Sequence, residues 1–203
     1  MSTTEAATKV DPSLAAEAVP RALPKGAYVF RQGDAARAVF YVLEGEVHLC
    51  RFGRRGERVI LHRARAGEYF AEASLAGKRY HCHAIVSRPA RLLEVPAARF
   101  RRVLQRDPDF AQRWIELLSR QLQRARARAE RAALTGAEER VRHYLATQGS
   151  GLKSEVELRG PLKDLAAELG IAHETLYRTL ARMEKGGRVE REGNRLRLGR
   201  LLL

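Results

Sequence analysis

The sequence predicts an α+β fold: an N-terminal β-roll or jelly roll, one long helix, and a C-terminal helical unit ending in a β-hairpin. Three observations predict it. Between about Pro20 and Pro96, short runs rich in Val, Phe, Tyr, Leu and Ile are punctuated by glycine turn signals. From Asp107 to about Leu134, apolar residues recur at steps of three and four. From Gly160 to Leu180, two helical patterns are separated by a single glycine. With 203 residues, 45% of them hydrophobic, the chain has material for one large core or two small ones.

The elements follow in order. Met1 to Val19 is rich in Ala, Thr and Glu and lacks the basic-then-apolar order of a secretory signal, so residues 1–19 read as a mobile arm. Residues 20–106 form the β-roll domain, with strands expected at Tyr28–Phe30, Val39–Leu43, Val47–Cys50, Arg58–His62, Ala84–Val86 and Arg91–Val95. Turns are expected at Gly26, Gly33-Asp34, Glu44-Gly45-Glu46, Gly53 to Gly56, Gly67 and Gly77. Many short strands at regular spacing argue for a closed or double-sheet architecture. A short helix from Ala97 to Gln105 leads to the long one, 107–134, which Asp107-Pro108 starts.

In the long helix Ile115, Leu118, Leu122, Ala125, Ala129 and Ala132 make an a/d seam of about three heptads, set among Arg120, Arg124, Arg126, Arg128 and Arg131. A stripe that narrow favours a partner helix over the chain's own domain. Two-fold assemblies are the commonest, so the seam reads as a parallel homodimer interface. Its N-terminal half, with Trp114, Ile115, Leu117 and Leu118, should supply most of the dimer energy. Thr135 with Glu138 three residues later reads as a capping box, marking a hinge and the start of a domain over 135–203.

That last domain carries the chemistry. A helix from Ala137 to about Thr147 and a short strand at Glu155–Leu158 precede the two-helix motif. Pro161 suits a first helical position, and Leu162, Leu165, Ala166 and Leu169 share one face. Gly170 can take the positive φ that ends the helix, and Ile171 plugs the turn. The second helix buries Leu176, Leu180 and Met183 and offers His173, Glu174, Thr175, Tyr177, Arg178 and Arg182 outward. A bundle hairpin would bury the same leucines without concentrating polar groups on one helix. This pattern suits a helix-turn-helix entering the major groove of DNA. Val189 to Leu198 around Gly193-Asn194 is a hairpin, which makes the unit a winged helix, and Arg195 and Arg197 can reach backbone phosphate.

Charge agrees with a polyanionic partner: 38 Lys and Arg stand against 24 Asp and Glu, a net +14. An arginine-rich habit on solvated faces would explain part of it. Glu174 and Arg178, four apart, share a face. Arg can donate twice to guanine and Glu can accept from cytosine, and an i,i+4 salt bridge between them is compatible with that role.

The order β-roll, long helix, capped hinge and winged helix resembles the Crp/Fnr family of bacterial transcription regulators, from about Ala22 to Leu198. Gly33-Asp34-Ala35 through Phe40-Tyr41-Val42-Leu43-Glu44-Gly45-Glu46-Val47 is similar to the family's early β-roll turn and hairpin. Gly67-Glu68-Tyr69-Phe70-Ala71-Glu72-Ala73-Ser74-Leu75 resembles its effector cassette, and His173-Glu174-Thr175-Leu176-Tyr177-Arg178 resembles the start of its recognition helix. The resemblance implies a homodimeric, sequence-specific regulator of double-stranded DNA that reads a palindrome and works with RNA polymerase. It implies no enzyme. His173 stands where members often carry Arg. The implied effector pocket comprises Leu49, His62, Gly67, Glu72, Cys82 and His83.

Cyclic-AMP-binding members grip the cyclic phosphate with an Arg-Ser pair. Those positions are Cys82 and His83 here, and neither replaces a bidentate guanidinium. Ala125 also replaces the Thr that meets the base, so the effector should be something other than cyclic AMP. The iron–sulfur members need an N-terminal cysteine cluster, which this sequence lacks before Cys50, so such a cluster is excluded. His62, His81, Cys82 and His83 offer imidazole and thiolate for a metal ion, although consecutive strand residues point to opposite faces. A redox role for Cys82 beside two imidazoles is a second alternative, and plain core contacts and hydrogen bonds a third.

His48 and Cys50 are weaker candidates. A thiol enzyme would have only Glu72 as an orienting acid and would leave the winged helix unexplained. An architectural DNA-binding protein would leave the β-roll unexplained. Two cysteines fit a reducing cytoplasm, and nowhere do about 18 apolar residues run together, so no membrane span is expected.

Overall fold

The computed structural model describes residues 12–54, 56, 58–149, 154–158 and 160–199. The chain packs as two compact units, Met1–Trp114 and Ile115–Leu203, so the packing boundary falls inside the long helix.

The first unit is an antiparallel β-roll. Its strands are β1 (Val19–Leu23), β2 (Tyr28–Phe30), β3 (Ala38–Phe52), β4 (Arg58–Arg65), β5 (Tyr69–Phe70) and β6 (His83–Pro96). The sheet order is β1-β6-β3-β4, with β2 paired to β6 and β5 to β3. The interior is aromatic at one end: Phe30 stacks on Tyr80 with centroids 3.6 Å apart and Phe40 on Phe70 at 5.1 Å. The Tyr80 hydroxyl satisfies itself by donating to the Ala38 carbonyl at 3.0 Å.

Two expectations change here. The Glu44-Gly45-Glu46 signal is not a turn, because β3 and β6 each run on as one long strand where two short ones were expected. The pairing of β3 with β6 instead shifts register at Glu44 and Glu46, a bulge. Gly45 sits at φ +85°, and a Cβ there would lie 2.2 Å from the Pro89 carbonyl oxygen. The glycine marks a close approach of two strands, a situation that reads locally like a turn. The described part of the expected mobile arm is ordered. Pro12–Ala15 form a helical turn, α1, with Leu14 fully buried, and Glu17 pairs with Arg99 at 2.9 Å. The arm's earlier residues lie outside the described ones.

At the bulge Glu46 is buried and accepts hydrogen bonds from Arg65 Nε at 2.9 Å, Ser87 Oγ at 2.9 Å and His48 Nε2 at 2.8 Å. Burial alone would raise its pKa, but these hydrogen bonds and the Arg65 charge more than reverse that and hold it at about 2. Burial in turn pushes the His48 pKa down, so the neutral ring donates from Nε2 and leaves Nδ1 without a partner. A depressed carboxyl contributes stability that is full above the ordinary value of about 4.5 and is lost as pH falls towards about 2. The amount is roughly 3 kcal/mol. Thermal melts of the parent should therefore fall more steeply between these limits than melts of Glu46→Gln; parallel curves would overturn this account.

Helix α2 (Ala97–Arg106) leads to α3 (Pro108–Ala133), whose start Asp107 caps by accepting from the Phe110 N–H at 2.8 Å. Trp114 is 5% exposed, its ring set edge-on to Tyr69 and Phe100 at 5.1 and 4.7 Å. The indole is therefore spent on the first unit's core and not on the seam, a correction the heptad pattern could not anticipate.

The second unit holds the rest of α3, then α4 (Ala137–Gln148), β7 (Val156–Glu157), α5 (Leu162–Leu169), α6 (His173–Lys185), β8 (Val189–Glu192) and β9 (Arg195–Leu198). The small sheet has the order β7-β9-β8. Leu145, Leu165, Leu169, Leu176, Leu180, Met183 and Leu196 form its core. The expected capping box does not form: Gly136 is the N-cap of α4 and no side chain caps it. Glu138 is drawn instead to Arg188 and Arg182. Pro161 is likewise the N-cap of α5, one residue before its first helical position. Here α3 turns Ala127 and Arg131 inward, the Arg131 guanidinium lying 5.1 Å from the centre of the Tyr144 ring. Its other face leaves Ile115 57%, Leu118 38% and Leu122 51% exposed. No described helix is long and apolar enough to cross a membrane.

Candidate nucleic-acid interface and effector region

The two-helix motif is built by local chemistry and held by one distant arginine. Gly170 adopts φ +65°, and the Ile171 N–H reaches back to the Ala166 carbonyl at 3.0 Å, closing α5. Arg140 then donates from Nη1 to the carbonyls of Leu169 and Gly170 at 3.1 and 2.9 Å and from Nε to Leu134 at 2.8 Å. A cation at a helix C-terminus meets the negative end of its dipole. Arg140 was missed in the sequence because the helix-end carbonyls it meets lie some thirty residues on, with no periodic signal linking them.

Helix α6 buries Leu176, Thr179, Leu180 and Met183. Opposite them His173, Glu174, Tyr177 and Arg178 are exposed, with Thr175 partly so. Helical geometry puts Glu174 and Arg178 at the middle of the outward face, with His173 and Tyr177 along one flank and Arg182 along the other. The i,i+4 salt bridge that is compatible with base reading is not made between Glu174 and Arg178, which leaves both side chains available to a ligand. The His173 and Tyr177 rings meet edge-on at 4.6 Å. Arg182 leans on Glu138 at 3.7 Å, the carboxylate that also holds Arg188.

In the wing, carboxylates stand close to the arginines. Arg195 faces Glu155 at 3.7 Å, Arg197 donates to Glu190 at 2.5 Å, and Asn194 donates to Glu157 at 3.1 Å. Cross-strand register brings these carboxylates opposite the arginines: Glu190 pairs with Arg197 and Glu192 with Arg195. Reading cations alone overlooked their partners.

In the β-roll, the proposed ligand residues scatter. Cys82 is 1% exposed and packs in the apolar core with Leu49, while its neighbour His81 is exposed and His83 partly so. His81 Nδ1 lies 3.2 Å from the Ser74 hydroxyl. His83 Nδ1 accepts the Gln32 N–H at 3.2 Å, and its ring stands edge-on to Phe52 and Tyr28. His62 lies 3.9 Å from Glu68. No group of three or more His, Cys, Asp or Glu among the described residues is placed to hold a metal, and His62, His81, Cys82 and His83 are not brought together into one. Burial pushes the Cys82 thiol up to about 11, which keeps the nucleophilic thiolate scarce.

Glu72 remains. It opens a 3₁₀ turn, Glu72–Ser74, after Ala71 at φ +70°, a left-handed conformation that costs a non-glycine residue about 1–2 kcal/mol. Burial raises the Glu72 pKa, and its Oε2 has no hydrogen-bond partner. Gly67, at φ +90°, ties the same cassette to β3 through its N–H to the Val42 carbonyl at 2.9 Å.

A helix-turn-helix whose second helix presents an unpaired acid and an unpaired guanidinium over an apolar core is the apparatus of a DNA-binding transcription regulator. Residues 20–107 match the model of the cyclic nucleotide-binding domain. The cyclic AMP receptor protein of Thermus thermophilus is 30% identical over 174 residues, covering 82% of this chain and 77% of that protein. The nitrogen fixation regulation protein FixK of Azorhizobium caulinodans is 27% identical over 189 residues, covering 90% and 75%. The crystal structure of the Thermus thermophilus catabolite activator protein superposes with a TM-score of 0.54 at 27% identity, covering 94% of this chain and 89% of that one. The chain belongs to the Crp/Fnr family of transcription regulators.

Proposed function

We propose that the chain acts as a homodimer that reads a palindromic DNA site through α6 of each protomer, under the control of a β-roll effector other than cyclic AMP. The observation that carries this reading is the outward face of α6, where Glu174 and Arg178 stand exposed over a buried apolar row. His173, Thr175 and Tyr177 complete the face, Arg182 flanks it, and Arg195 and Arg197 lie in the wing. Arg can take both guanine acceptors and Glu the cytosine amino group. The exposed Ile115, Leu118 and Leu122, continued by Ala125 and Ala129, support α3 as the dimer seam. Residues 135–203 are then the DNA-binding domain, and Thr135-Gly136 its hinge. RNA polymerase is the protein partner the family resemblance supplies, and the cytoplasm the compartment.

The effector follows from what the cassette offers. Cys82 and His83 supply no fixed cation for a cyclic phosphate, whereas the raised Glu72 carboxyl with a free oxygen suits a ligand bearing a hydrogen-bonding group. Footprinting on random-sequence DNA should give protected sites of two-fold symmetry, with half-sites about one DNA turn apart. Adding cyclic AMP should change neither the footprint nor the heat of a calorimetric titration. Uniform protection of all sequences would replace the regulator with an architectural protein, and saturable cyclic AMP binding would overturn the effector assignment.

A further inference from the structure

The recognition helix carries one large apolar group that neither the core nor an ion pair employs. Tyr177 is 47% exposed, one of few large hydrophobic side chains left open in this unit outside the α3 seam. Its ring is not loose. His173, one turn earlier, meets it edge-on with centroids 4.6 Å apart and planes at 78°. A ring already braced has less rotamer freedom to lose when it meets a surface. It stands directly beside Arg178 and three residues after Glu174, on the flank of the face that those two residues centre.

Polar atoms of base edges are matched by Glu174 and Arg178. The carbon face of an aromatic ring on their flank is matched by an apolar group, and the major groove displays one, the C5-methyl of thymine. We propose that Tyr177, held by His173, is a specificity-determining residue that packs against a thymine methyl beside the G·C pair. This rests on α6 entering the major groove, as proposed above. The contact buries ring carbon and methyl together, so removing the methyl should cost about fourfold in affinity per half-site.

Deoxyuridine tests this at a single atom group, because it lacks the methyl and keeps every hydrogen bond of thymine. The full-length protein is titrated against its selected palindrome, and each thymine is replaced in turn, symmetrically in both half-sites. The parent should lose about fourfold per half-site at one position and little elsewhere. Tyr177→Ala should bind the thymine duplex as weakly as the uracil one, erasing the difference. Tyr177→Phe should preserve it, and His173→Ala should shrink it.

Three results overturn the proposal: no methyl-sensitive position, a sensitivity that survives Tyr177→Ala, or an equal loss on both duplexes for Tyr177→Phe, which would make the hydroxyl a phosphate ligand. Failure of the underlying reading looks different. If selection returns no preferred sequence and Arg178→Ala changes nothing, α6 does not read bases and both fall together. If Arg178→Ala relaxes a G·C preference while uracil is tolerated everywhere, only the role of Tyr177 falls.

Discussion

Replacing both Ile115 and Leu118 with aspartate is expected to leave the protein monomeric and unable to hold a palindromic site. These side chains are 57% and 38% exposed in the protomer, so folding of the single chain does not depend on them. In a two-fold pair each meets its counterpart, and a fully buried Ile or Leu contributes roughly 1.5–3 kcal/mol. In the proposed dimer these two, with Leu122, would supply most of the interface, since Ala125 and Ala129 would add little area. Aspartates would replace this gain with four carboxylates facing one another across an apolar seam. Circular dichroism should report an intact fold, and sedimentation velocity a halved mass. A double variant that still sediments as a dimer would move the interface elsewhere on the molecule.

Arg178→Ala is expected to cost about 1–3 kcal/mol per half-site and to relax the preference at one G·C position. The guanidinium is exposed, sits on a helix whose other face is fully packed, and has no ion-pair partner to release before binding. The loss should therefore appear on the selected sequence and be small on random DNA, with the salt dependence of non-specific binding little changed. Equal losses on specific and random duplexes would make Arg178 a phosphate contact and leave the base reading to other residues.

The arginines of the chain divide into classes that only their surroundings separate. Arg178 is open, Arg195 and Arg197 face carboxylates across the wing, Arg140 caps the turn between α5 and α6, and Arg131 is 2% exposed over an aromatic ring. A net charge of +14 counts them alike. Long-range attraction to a polyanion follows from the sum, whereas specificity follows from the few that remain unpaired.

Much of the DNA-binding unit was legible in the sequence because its signals are local. Leu162, Leu165 and Leu169 mark one helix face, Leu176, Leu180 and Met183 another, and Gly170 takes the left-handed conformation that joins them. The hairpin around Gly193 needed only alternation and a turn residue. The capping box failed because Glu138 had two arginines within reach that the local pattern could not register. The cassette around Glu72 was located by resemblance, but not its strain or its unpartnered oxygen.

The sequence by itself determined the α+β class, the order of the elements, the apolar seam of α3 and the outward face of α6, since each depends on residues within a few turns or one strand. Tertiary structure decided the rest. It sent Trp114 into an aromatic cluster with Tyr69 and Phe100, turned Gly45 from a turn into a bulge against Pro89, and placed carboxylates beside the wing arginines. It also dispersed His62, His81, Cys82 and His83, because core packing takes the Cys82 thiol inward and leaves His81 exposed, whatever ligands their order in the chain implies.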